Sequence, residues 1–97
     1  MIIYELYATT GYTRLHVSVR GTYMNVRGYD VLAGKAFEIY RKKVKANPEL
    51  AQYKLRLVIW KREADDDGIF RLVSTTYEDY EIRDGAIAMV NCQTFSK

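Results

Sequence analysis

The sequence predicts an α+β fold: a mostly antiparallel sheet of five to six strands, in the order βββαβββ, with one amphipathic helix packed on one face. Apolar residues alternate with period two through the first third, change to helical spacing near Asp30, and return to alternation near Tyr53. Clusters of turn-forming residues at 9–12 and 64–68 divide the alternating stretches into hairpins.

Ile2 to Ala8 is rich in β-forming residues, and Thr9-Thr10-Gly11-Tyr12 has turn chemistry. Thr13 to Arg20 sets Leu15, Val17 and Val19 against Arg14, His16, Ser18 and Arg20, as the second arm of a hairpin does. Gly21 interrupts, and Thr22 to Arg27 is expected as a short third strand that Gly28 ends.

From Val31 to Ala46, Ala33, Ala36, Phe37, Tyr40 and Val44 follow helical spacing, while Lys35, Glu38, Arg41, Lys42 and Lys45 fall largely on the other side. This predicts one helix of about four turns with Asp30 as N-cap and basic residues complementing the C-terminal dipole. Asn47-Pro48 stops it, and Pro48 with Glu49 opens a further single turn. Gly34 costs about 1 kcal/mol relative to alanine inside a helix, so it is expected to admit a close-lying backbone.

Tyr53 to Arg62 is a long strand, with Tyr53, Leu55, Leu57 and Ile59 on one side and Lys54, Arg56, Val58, Trp60 and Arg62 on the other. Ala64 to Gly68 supplies a loop, and Ile69 to Thr76 pairs back as a second hairpin. The acidic run Tyr77 to Gly85 is expected as a longer connection. Ala86 to Phe95, apolar on both sides over Ile87 to Val90, resembles a central or covered strand.

The 97 residues suffice for one core, so a single domain over 1–97 is expected. An apolar share of 48%, with one proline and six glycines, excludes collagen-like and disordered chains. No apolar run reaches the roughly 18 residues a membrane span needs, and Met1 to Tyr7 lacks the basic start of a signal peptide, which points to a cytoplasmic protein without membrane contact. Cys92, the single cysteine, can neither close an internal disulfide nor bind zinc by itself; it is expected as a small buried side chain.

The net charge of +3 hides a segregation: +1 over residues 1–34, +7 over 35–62 and −5 over 63–97. If the apolar sides of the strands meet the helix, period-two geometry sends Arg14, His16, Arg20, Lys54, Arg56, Trp60 and Arg62 to the opposite side. Basic groups there can neutralise phosphates, and Trp60, joined by Tyr7 and other tyrosines, can stack on unpaired bases. Arg41, Lys42 and Lys45 at the helix end form a second basic set.

These features predict a small non-enzymatic binding module for an anionic partner, nucleic acid or a nucleoprotein, with no cofactor and no metal site. The alternative is an inhibitor or adaptor of the kind phages and mobile elements direct at host proteins such as CRISPR effectors. Its contact would run through Glu78, Asp79, Tyr80, Glu81 and Asp84, which present negative charge and an aromatic ring to a basic groove. A third reading is a small ribonuclease built on His16 with arginine and tyrosine partners, but no second catalytic group stands at a recognisable spacing. An open sheet has two edges to hide, so a homodimer is also expected.

Overall fold

The computed structural model describes residues 1–12 and 15–97. Five strands and one long helix follow the order β1 (Ile2–Thr10), β2 (Val19–Tyr23), α1 (Val26–Ala46), a short 3-10 helix (Pro48–Gln52), β3 (Leu55–Ala64), β4 (Phe70–Arg83) and β5 (Ala86–Ser96). The strands form one antiparallel sheet in the order β2-β1-β3-β4-β5, and α1 packs on one face, which is the α+β arrangement expected. The molecule is elongated, 50 Å along its long axis and 22 Å along the other two.

Among the described residues two strands precede the helix, not three. Leu15 to Val19 keeps the expected alternation, with Leu15, Val17 and Val19 buried and His16 and Ser18 exposed, but ladder pairing starts only at Val19. Gly21 lies inside β2 opposite Leu6, where the side chain of Leu32 from α1 fills the space a Cβ would take. The first part of the strand expected over Thr13–Arg20, including Arg14, lies outside the described residues.

Residues 26 and 27, assigned from sequence to a third strand, are the first turn of α1. The N-cap is Asn25, not Asp30: the Asn25 Oδ1 accepts from the Gly28 N–H at 2.9 Å, satisfying one of the unpaired donors of the first turn. Gly28 lies in the first turn of the helix and does not end a strand; a Cβ there would sit 2.6 Å from the Tyr23 Cβ, so only glycine lets β2 and α1 meet so closely. Gly34 is the reverse case. It is exposed with nothing near its Cβ position, so the close approach expected there does not exist. Ala33, Ala36, Tyr40 and Val44 form the buried stripe of the helix, and the Tyr40 hydroxyl donates to the Tyr53 carbonyl.

The expected acidic connection over 77–85 is strand. β4 runs unbroken to Arg83, and Asp84-Gly85 forms a two-residue turn with φ of 52° and 80°, the signature of a type I′ hairpin that matches the twist of its strands. β5 is consequently an edge strand rather than a central one, and Cys92 on it is exposed, not buried. The β3–β4 turn is held by Asp65, whose Oδ1 accepts from the Asp67 and Ile69 N–H groups and whose Oδ2 accepts from Arg71 Nε at 2.8 Å.

The core lies between α1 and one half of the sheet. Leu6, Ala8, Leu15, Leu55, Leu57, Ala36 and Tyr40 are at its centre, with Tyr80, Ile82 and Ile87 at its β4–β5 flank. Among the described residues no helix is long and apolar enough to cross a membrane.

Candidate nucleic-acid interface

The sheet face away from α1 carries the side chains that alternate with the core. Cross-strand register arranges them in three rows: Thr22, Glu5, Trp60, Thr75 and Phe95; Arg20, Tyr7, Val58, Tyr77 and Gln93; and Thr9, Arg56, Asp79 and Asn91. Four aromatic rings therefore share one face. Tyr7 and Trp60 lie nearly parallel, centroids 6.4 Å apart at 14°, while Tyr77 and Phe95 meet edge to face at 5.7 Å. Between them Val58 is buried, and Tyr7 and Phe95 keep 38% and 54% of their surface exposed.

Two guanidinium groups lie over these rings. Arg20 sits 5.9 Å from the Trp60 ring and Arg56 4.7 Å from the Tyr77 ring, within the range where a cation is drawn to an aromatic quadrupole. Each is also held by a carboxylate: Arg20 Nη2 by Glu5 at 2.8 Å, and Arg56 by Asp79 through two bonds of 2.8 and 3.1 Å. The Arg56 guanidinium keeps the Asp79 carboxyl below the usual carboxylate range despite burial, and the Asn91 amide helps. Lys54 and Arg56 border a shallow groove of about 560 Å³ with Thr9, Thr10, Tyr53 and Asp79.

The structure brings together Arg20, Lys54, Arg56, Trp60 and Arg62 of the set expected to bind nucleic acid; Arg62 stands in a row with Ile3 and Leu72. His16 is exposed ahead of β2, outside the ladder. Arg41, Lys42 and Lys45 are on α1, across the sheet from Trp60, where they line a groove of about 470 Å³ with Val44 and Ile82; Lys42 pairs with Glu38 at 3.0 Å. Tyr77 and Phe95 were absent from that set. The Asp84-Gly85 turn sets the β4–β5 pairing only as far as Tyr80 opposite Met89; the bulge at Val90 then shifts the register by one residue, and that shift, which no local pattern announces, turns Phe95 to the face of Tyr77.

The acidic set does not form one surface. Alternation sends Tyr80 and Glu78 to the helix side, where Tyr80 is buried and Glu78 accepts from the Tyr29 hydroxyl at 2.5 Å and the Tyr80 hydroxyl at 3.1 Å. Burial first, and then hydrogen bonding to Glu78, pushes the Tyr29 phenol far up; Tyr80 and the neighbouring Tyr23 are raised to about 12, burial again the largest cause. Asp79 belongs to Arg56, Glu81 is bonded by Arg83, and Asp84 is exposed in the turn. Among the described residues no group of three or more His, Cys, Asp or Glu side chains is placed to hold a metal ion. Compared with known proteins, the chain matches no family model, no curated protein and no solved structure.

Proposed function

We propose that the protein is a non-enzymatic binding module for single-stranded nucleic acid, which it takes on the open face of the sheet. The observation that carries this reading is the grouping of Tyr7, Trp60, Tyr77 and Phe95 on one face, with Arg20 and Arg56 over two of the rings. Unpaired bases stack on such rings whatever their sequence, and arginines beside them meet the phosphates. A duplex, whose bases are already stacked, offers this face nothing but its backbone.

Trp60 is half-buried and is the only tryptophan, so it reports the contact directly. Unstructured DNA and RNA oligonucleotides are expected to quench its emission at low salt, with affinity falling steeply as added salt diminishes the entropy gained from counterion release. Tyr77→Ala should weaken binding by on the order of 1–3 kcal/mol while leaving the Trp60 signal available. Unchanged emission with every oligonucleotide at low salt overturns the reading. So does equal affinity for duplex and single strand.

A further inference from the structure

The two edges of the sheet are unlike. β2 is five residues long, carries Arg20, and is pressed against α1 where Leu32 packs on Gly21. β5 is eleven residues long, and from Ala86 to Ser96 it contains no charged residue and no proline. Proteins guard edges against pairing with charge, proline, brevity or bulges. Here the one guard is a bulge, with Val90 opposite no β4 residue, and it leaves Asn91 to Ser96 regular. The Lys97 N–H donates to the Val73 carbonyl at 2.9 Å, continuing the ladder with β4. By alternation, the backbone N–H and C=O groups of Cys92, Thr94 and Ser96 point away from β4, with no partner strand among the described residues.

We propose that β5 pairs antiparallel with β5 of a second copy of this chain, joining two five-stranded sheets into one of ten. An isologous contact requires a surface complementary to itself, and an uncharged strand meets that condition because no cross-strand pair sets like charges together. The charges that flank β5 are opposite, Asp84 before it and Lys97 after it, so antiparallel pairing draws each copy's Lys97 toward the other copy's Asp84 turn. The pairing also makes the open faces continuous, with the exposed Phe95 of each copy beside the seam. It requires only the free edge, and it stands whether or not that face binds nucleic acid.

The test is the mass of the nuclease-treated full chain by sedimentation across a wide concentration range, with and without substitutions at Thr94. Thr94→Pro removes an outward N–H that β4 does not use, and Thr94→Lys puts a charge into the otherwise uncharged seam. The unsubstituted chain should be a dimer whose dissociation constant rises at least tenfold in either variant, with the helical signal in circular dichroism showing that the variants fold. A flexible bismaleimide should link two copies through Cys92 in the native chain. A native monomer at every concentration overturns the proposal, as does a dimer that persists in both folded variants, fails to link at Cys92, or disappears with nuclease.

Discussion

Arg56 on β3 and Asp79 on β4 are directly opposite in register on the open face and joined by two hydrogen bonds, at 2.8 and 3.1 Å. From sequence they belonged to rival surfaces, one for nucleic acid and one for a basic protein. In the fold they are one ion pair, and the carboxylate neutralises the guanidinium that lies over Tyr77.

Asp79→Asn should therefore act in opposite directions on stability and on binding. Loss of a largely buried, doubly bonded carboxylate is expected to cost about 1–2 kcal/mol, discounted because the arginine is half exposed. Since the folded state holds this carboxyl below its ordinary 3.8, the contribution is present above that pH and lost as pH falls through the lowered value. Denaturation of both proteins at neutral pH and near pH 3 checks it: the difference should shrink in acid. On the open face the same substitution frees Arg56, and oligonucleotide affinity at low salt should rise by about two- to fivefold.

Alkaline titration addresses the other face. Tyr23 and Tyr80 stand near 12 in the folded protein against an ordinary 10, so the stability they contribute is complete below pH 10 and is lost as pH rises through 12. Phenolate absorbance should show the Tyr23, Tyr29 and Tyr80 phenols ionising only together with loss of helix. Tyr29→Phe removes one donor to Glu78 and is expected to cost about 1–2 kcal/mol at neutral pH.

The two helical glycines should respond to alanine with opposite signs. At Gly34 the Cβ position is open and the residue sits mid-helix, so Gly34→Ala should stabilise by about 0.5–1 kcal/mol and raise Tm by a few degrees. At Gly28 the new methyl meets the Tyr23 Cβ near its backbone, and Gly28→Ala should cost about 1–3 kcal/mol. Thermal melts of the two single variants decide both.

What the sequence disclosed depended on the range of the interaction concerned. The amphipathic stripe of α1, the 3-10 turn at Pro48 and the two sides of β3 were legible because each is written in local spacing. Gly28 was misread because its meaning is a contact with Tyr23 that no local pattern encodes, and the helix start was displaced with it. The acidic content of Glu78 to Glu81 masked strand alternation that Tyr77, Asp79 and Tyr80 obey, although Asp84-Gly85 announces the turn that ends it. Of the candidate site, Trp60 with Arg56 could be placed by alternation within β3, whereas the company of Tyr77 and Phe95 required the pairing of three strands.

The long axis of 50 Å has a thermal consequence, because the buried core occupies only the part of the sheet beneath α1. Its β3 and β4 members are Leu55, Leu57, Ile59 and Tyr80, and residues 61–74, with the hairpin tip at Asp65 to Gly68, contribute none. That outer hairpin is held by ladder hydrogen bonds and the exposed Asp65–Arg71 ion pair, which oppose local opening far less than burial does. Trp60 stands at the border between the two regions, while the helical signal arises wholly over the core. Heating should accordingly yield two curves, tryptophan emission departing from the baseline before ellipticity, so that a single midpoint describes the covered half of the molecule and not its free-standing end.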